Sequence, residues 1–329
     1  MNHKKLAQKI LSVIGLAILG IFIYKVDLSN TLKSLQNLSI STIIMIIAIT
    51  ASHILIKALR WRALIYRTSR EKISIRFSFL SVIAGVAFGS IIPGRIEMAK
   101  PLMLKEKANI PISTSFPCVL MERICELITL LAIIFISTFF ISKQEIISNS
   151  IIFTALGAAL AITLSLALFP ERYQKLSKLV ILRLSFSEKM SKQLEEFSQQ
   201  FFAAFSILKD KHLFLFLSLF SAFAILLEVL QFYLILQVFG VNVSVPLSAF
   251  VLGSTTILGV LSMIPGGIGI IEVSSSAILL LLTSGTAGAI QSSVLLNRLI
   301  SYYLLILFGA LILIFYRNLR KELNDKIST

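Results

Sequence analysis

Cysteine is almost missing from this chain. There are two, Cys118 and Cys125, seven apart in one apolar stretch. On a helix they share a side but cannot bridge, because each residue rises ~1.5 Å along the axis. That excludes a disulfide framework and leaves two thiols acting as small hydrophobes. Histidine is as scarce: His3, His53 and His212 are scattered, which excludes any metal-ligand spacing. Nucleophile-elbow, phosphate-loop and dinucleotide motifs are missing too, and the glycine-rich Gly266-Gly267-Ile268-Gly269 has no strand–helix context. No polar stretch is long enough for a soluble catalytic domain. The expectation is a protein with no catalytic residue, no metal and no cofactor.

What the chain has instead is apolar length. Hydrophobic residues make up 57% of it and the mean hydropathy is +0.91, too greasy for a soluble domain. Runs long enough to cross ~30 Å of hydrocarbon recur throughout. They are continuous rather than alternating, which argues against a β-barrel. The fold expected is an all-α polytopic membrane protein forming a single transmembrane domain over residues 1–329. Six full spans are expected at 10–24, 40–59, 112–141, 147–169, 212–239 and 292–316. The first follows Lys4, Lys5 and Lys9 as a signal peptide would, but no small-residue cleavage site comes after it. It reads as an uncleaved span.

Two further apolar stretches are interrupted. Residues 77–92 end at Pro93-Gly94, and 247–264 end at Pro265-Gly266-Gly267 before resuming to 282. Proline removes a donor and glycine loosens the backbone. Lipid cannot satisfy the freed carbonyls, so such breaks are buried in protein or line a watery cavity. Both stretches read as re-entrant helical hairpins.

Charge placement fits that topology. With a cytoplasmic N-terminus and both hairpins returning to the side they entered, 25 of the 31 Lys and Arg lie inside and three lie outside, at Lys25, Lys33 and Lys143. The other three, Lys57, Arg123 and Arg298, fall in or at the ends of apolar runs. This asymmetry orients the protein and explains the net charge of +15 without nucleic acid. The first hairpin then enters from inside and the second from outside, so two repeat units, 40–142 and 212–316, are inverted. Residues 10–39 supply the first span and an outer loop, 143–211 link the units, and 317–329 form a cytoplasmic tail. Within the link, 187–208 has helical apolar spacing. It reads either as an amphipathic helix on the cytoplasmic face or as a loop helix packed on the spans.

Each unit carries a copy of one motif. Pro93-Gly94-Arg95-Ile96-Glu97 is followed 26 residues after its Glu by Arg123, and Pro265-Gly266-Gly267-Ile268-Gly269-Ile270-Ile271-Glu272 is followed 26 after its Glu by Arg298. A charge at the bilayer centre costs roughly 2.5–3.5 kcal/mol on insertion scales, so these groups point to function. Glu272 and Arg298 either tie the second hairpin to the last span or hold and release a lipid phosphate. Arginine suits phosphate because its planar fork donates two parallel hydrogen bonds. Ser293, Asn297, Ser301 and Tyr302 extend a polar stripe around Arg298 that could line a groove or mediate helix packing. Glu97, Glu122, Arg123 and Glu126 form the matching set, and Arg95 could bind an anion at the start of a half-helix. Lys100 reads as an ordinary cytoplasmic lysine. His53, Lys57, Arg60 and Trp61 read as snorkelling anchors. Glu228 has no evident partner.

Ala58-Leu59-Arg60-Trp61-Arg62, Pro93-Gly94-Arg95 with Glu97, Glu122-Arg123, Pro265 to Gly269 with Glu272, and Asn297-Arg298 with Tyr302-Tyr303 resemble the lysylphosphatidylglycerol synthase transmembrane-region family, also called flippase-like or UPF0104. The first motif departs from the family pattern: no glycine precedes Glu97, and Lys100 stands where arginine is expected. In the best-known members this region is similar to a flippase that carries aminoacylated phosphatidylglycerol to the outer leaflet. Those members add a cytosolic aminoacyl-transferase domain that this chain lacks, so synthesis is not implied. The resemblance implies translocation of an anionic phospholipid, aminoacylated or not, or of a polyprenyl-linked lipid, across the cell inner membrane. Arg123 and Arg298 would engage the phosphate, with Glu122 and Glu272 positioning them. Membrane lipids are the expected partners, with a lipid synthase or glycosyltransferase as a further one. The rivals are an intramembrane transferase using Glu122 or Glu126 as base on a polyprenyl phosphate, and a non-catalytic partner of a synthase.

Overall fold

A computed structural model describes residues 3–25, 39–92, 96–141, 169–183 and 210–315, with scattered positions between 157 and 202. Every regular element in it is helical. In chain order these are α1 (His3–Lys25), α2 (Ile40–Ser69), α3 (Ile75–Gly89), α4 (Ala99–Ala108), α5 (Ile112–Thr138), α6 (Pro170–Arg183), α7 (Lys211–Val238) and α8 (Val245–Leu261). A one-turn 3-10 helix (Pro265–Gly267), α9 (Ile270–Leu282) and α10 (Ala287–Arg298) follow. A π-turn (Leu299–Tyr303) continues α10 as one apolar helix to Phe315.

Four stretches are long and apolar enough to cross a membrane: Ile40–Ser69, His212–Val238, Pro265–Leu282 and Ala287–Phe315. The 27-residue α5 is as long, but it carries Glu122, Arg123 and Glu126 within five residues. Three boundaries differ from expectation. The helix expected to end at residue 59 runs to Ser69, closed by Arg70 in the left-handed region. The last helix begins at Ala287, capped by Thr286, five residues earlier than expected. Pro265–Leu282, read as one arm of a hairpin, is long enough to span, although Gly266 (φ 66°) and Gly269 (φ 83°) break its first turns. Pro93, Gly94 and Arg95, most of the expected span at 147–169, most of 187–208 and the tail lie outside the described residues.

The order of pieces repeats. Residues 39–138 and 210–315 each run long helix, short helix, break, short helix, long helix. The local signals repeat as well. Ser74 and Ser244 cap the short helices α3 and α8 by accepting from the third amide beyond them. Ser90 and Ser262 end those helices, each hydroxyl donating to the carbonyl three residues back, at Ala87 and Gly259.

The long first helices pack along one another. Arg67 of α2 meets Asp210, which caps α7, and along α7 Arg60 meets Ser221, His53 meets Glu228 and Thr50 meets Gln231. Numbers fall along one helix as they rise along the other, so α2 and α7 are antiparallel. The units also exchange contacts reciprocally. At Gly253, α8 lies so close to α5 that a Cβ would sit 2.5 Å from Ile134. At Gly309, α10 lies as close to α3, with a would-be Cβ 2.5 Å from the Ile83 carbonyl oxygen. One apolar cluster fills the first unit around Trp61, Leu64, Leu104 and Met121, and a second lies among α5 and α7–α10. Outward, α7 presents Leu215, Leu219, Phe223, Leu226 and Leu230 at helical spacing, a stripe suited to acyl chains.

Candidate functional site

The first unit holds a closed ring of charge. Arg60 lies 3.1 Å from Glu122 and 2.6 Å from Glu126. Glu126 continues to Arg123 at 2.9 Å, and Arg123 to Glu97 at 2.6 Å. Glu97 meets Lys100 at 2.6 Å, and Lys100 returns to Glu122 at 2.8 Å. Each carboxylate bridges two cations and each cation two carboxylates, which offsets the cost of placing six charges in an apolar bundle. Four structural pieces contribute: Arg60 from α2, Glu97 from the loop before α4, Lys100 from α4, and the three others from α5. Glu122 to Glu126 is one helical turn, so both carboxylates reach the same arginine. The spare Arg60 nitrogen donates to Ser221 of α7 at 2.7 Å, tying the ring to the second unit. Lys100 also lies over the Trp61 ring, 4.9 Å from its centre.

The second unit holds a compact dyad. Glu272 Oε1 accepts from Arg298 Nε and from the Tyr303 hydroxyl, both at 2.7 Å. Its Oε2 accepts from the Gly269 amide at 2.8 Å, so the same carboxylate caps the N-terminus of α9. Arg298 also donates to the Gly266 carbonyl at 3.3 Å and stacks 4.0 Å over Tyr302. Gly266 is required there: a Cβ would lie 2.0 Å from the Tyr302 hydroxyl, and its φ is positive. Helix α1 supports this break from behind, with Gly15 and Ile18 against Gly269.

Both units face one cavity of about 380 Å³. Glu97, Arg123 and Glu126 open onto it from the ring, and Asn297, Arg298, Ser301 and Tyr302 from the second unit. Most of the remaining wall is apolar, with Val82, Ile83 and Leu252 among its members. Arg123 is the most open ring member, its side chain 28% exposed, and its Nε is buried with no hydrogen-bond partner. Lys57, 4.0 Å from Glu126, also lines the space. So do His53 and Glu228.

Several expected residues sit elsewhere. Ser293 is not a groove residue: it is fully buried and donates to the Ile290 carbonyl. Glu122 and Glu272 stand behind the wall, both fully buried. Arg60 and Lys100 are neither anchors nor cytoplasmic lysines, since each is 1% exposed inside the ring. Trp61 is buried rather than interfacial. The signal for Arg60 was available: apolar Ala63, Leu64 and Ile65 resume after it, so the helix had not ended. Lys100 carried no such signal, because its partners come from distant sequence. Cys118 and Cys125 are buried and unbridged. Among the described residues no group of three or more His, Cys, Asp or Glu could hold a metal ion.

Fold and site together define a multi-pass, all-helical membrane protein with a charged central cavity. The chain belongs to the family described as the lysylphosphatidylglycerol synthase TM region, which matches residues 9–309. It is 26% identical to a UPF0104 membrane protein of Pyrococcus horikoshii over 94% of this chain and 97% of that one. A UPF0104 membrane protein of Methanocaldococcus jannaschii is also 26% identical, over 71% of this chain and 96% of its own length. A third, from Methanothermobacter thermautotrophicus, is 33% identical over 87 residues, about a quarter of each chain.

Proposed function

We propose that this protein moves a phosphate-bearing lipid between the leaflets of the cell inner membrane, as a flippase-like translocator rather than an enzyme. The substrate is an anionic phospholipid, aminoacylated or not, or a polyprenyl-linked lipid. One observation carries the reading: Arg123 and Arg298, one from each repeat unit, open onto a single cavity whose other walls are largely apolar. Such a space suits a charged headgroup with chains leaving between helices. In this reading the lipid phosphate takes the place of Glu97 on Arg123, and the hairpins move in alternation around the site. The membrane topology that goes with it has six spans, two re-entrant hairpins in an inverted repeat, and both termini in the cytoplasm. The antiparallel run of α2 against α7 supports that arrangement. A transferase is less well supported. Glu122 is walled off between Arg60 and Lys100, and Glu126 is held by Arg60 and Arg123, so neither is free to take a proton.

The test is leaflet-resolved lipid movement in proteoliposomes, with labelled anionic, aminoacylated and polyprenyl-phosphate lipids in parallel. Arg298→Gln should abolish transport of one class, and Arg298→Lys, which keeps the charge but loses the fork, should slow it. Wild-type protein, folded and inserted, that moves none of the three lipids would sink the proposal.

A further inference from the structure

We propose that His53 and Glu228 form a binding site for one proton at the seam between the two repeat units. The argument begins with which acids are free. Glu97 and Glu122 each bridge two cations and Glu126 three, and Glu272 is saturated by Arg298, Tyr303 and a backbone amide. Glu228 differs from all of them. Its side chain is 32% exposed and is part of the cavity lining, and its ion-pair partner is a histidine rather than Lys or Arg. The His53 Nε2 lies 4.0 Å from the Glu228 Oε2, too far for a hydrogen bond, and that nitrogen is buried with no partner. A buried ring nitrogen left unpaired is costly. An N–H on that nitrogen, pointing at the carboxylate, removes the cost, and when the ring carries a second proton the hydrogen bond is charge-assisted once the pair closes by ~1 Å.

Burial is the first thing to oppose a positive charge on His53, and Lys57 and Arg60 on the same helix oppose it too, while Glu228 of α7 and Glu126 of α5 favour it. The proton belongs to the pair rather than to either residue. Its position gives it leverage. His53 is on α2 and Glu228 on α7, the antiparallel helices that join the units, one turn from the Thr50–Gln231 hydrogen bond. Proton binding draws α2 and α7 together along the cavity wall. Release to the other side of the membrane lets them part, which couples the proposed lipid movement to a proton gradient. That coupling rests on the translocation reading, whereas the proton site does not.

The experiment has two arms. With three histidines in the chain, imidazole NMR signals of labelled protein in nanodiscs can be assigned by single variants, using His53→Gln and, as a control on the exposed α7 end, His212→Gln. The His53 signal should titrate, and Glu228→Gln should move its midpoint by ~1 pH unit or more. An imposed proton gradient should speed lipid movement several-fold in wild type and leave Glu228→Gln unaffected. A His53 titration that is absent, or identical in Glu228→Gln, overturns the site. Lipid movement that ignores the gradient in wild type overturns the coupling. A wild type that moves no lipid at all refutes translocation instead, and the NMR arm still decides the proton site.

Discussion

The two repeat units solve one electrostatic problem in opposite ways. Each places a Glu just after a chain break and an Arg 26 residues later on the next long helix, and each brings the two together, at 2.6 Å for Glu97–Arg123 and 2.7 Å for Glu272–Arg298. In the second unit the pair closes on itself. Tyr303, the Gly269 amide and the Gly266 carbonyl take up the spare bonds, so the break, its helix cap and the last helix are locked as one local piece. In the first unit the pair is opened into a six-membered ring that recruits Arg60 and Lys100 from other helices. A local dyad can be lost or moved as a unit. A ring spread over α2, α4 and α5 cannot change at one point without leaving an odd charge. The second break is therefore the better candidate for a part that moves whole, and the first for a part that responds when an anion replaces one ring member.

The largest expected effect follows from that contrast. Glu122→Gln leaves Arg60 and Lys100 each short of a partner at nearly zero exposure, and should cost ~3–5 kcal/mol. Glu272→Gln strands one arginine and should cost less. The double variant Glu272→Gln/Arg298→Gln should recover much of that loss, because it neutralises the dyad completely. Glu122→Gln/Arg60→Gln should recover less, because Lys100 still loses one of its two acids and the Ser221 tether goes with Arg60. Thermal melts in detergent for the four variants decide it. Equal recovery in both units would mean that the ring is only two dyads side by side.

A smaller effect tests how firmly the second break is locked. Gly266→Ala should cost ~2–3 kcal/mol: a left-handed alanine costs ~1–2 kcal/mol, and its methyl group collides with Tyr302, on which Arg298 stacks. Gly240→Ala has a similar φ of 71° but open space around it, and should show the backbone part alone, ~1–2 kcal/mol. If the two destabilise equally, Tyr302 yields freely and the dyad is not locked by its neighbours.

The sequence made the dyad legible and hid two of the six ring members, for a physical reason. The Glu272–Arg298 pair could be read because its members are the isolated charges of one motif, and Pro265-Gly266 marks a break in any context. The same spacing exposed Glu97 and Arg123. Arg60 was harder to read because a drop in hydropathy at residue 60 looks the same whether a helix leaves the membrane or turns a charged face inward. The apolar Ala63, Leu64 and Ile65 beyond it are the sign that separates the two, and the helix does continue to Ser69. Lys100 was obscured because the positive-inside rule counts lysines without asking what they touch. The cavity shared by both units, and the nearness of His53 to Glu228, depend on how α2 and α7 pack, which no local pattern encodes.

The smallest expected effect lies at the wet end of the same α2–α7 seam, and it tests whether the seam is held by its interior or by its edge. Asp210 caps α7 through the amides of His212 and Leu213, and pairs with Arg67 of α2. The hydrogen bond from Arg67, then that from the Leu213 amide, hold its carboxyl below the usual range. A depressed carboxylate stabilises the fold above its unfolded value near ~3.9, and that contribution fades as pH falls through the lower folded value. The pair is exposed and screened by salt, so Asp210→Asn, which keeps a capping oxygen, should lower the melting temperature least of all these variants. The gap between wild type and variant should close only as pH falls below ~4, through the lower folded value. If Asp210→Asn instead matched Glu122→Gln, the seam would be held at its edge, and the buried ring would owe its position to a contact outside the membrane.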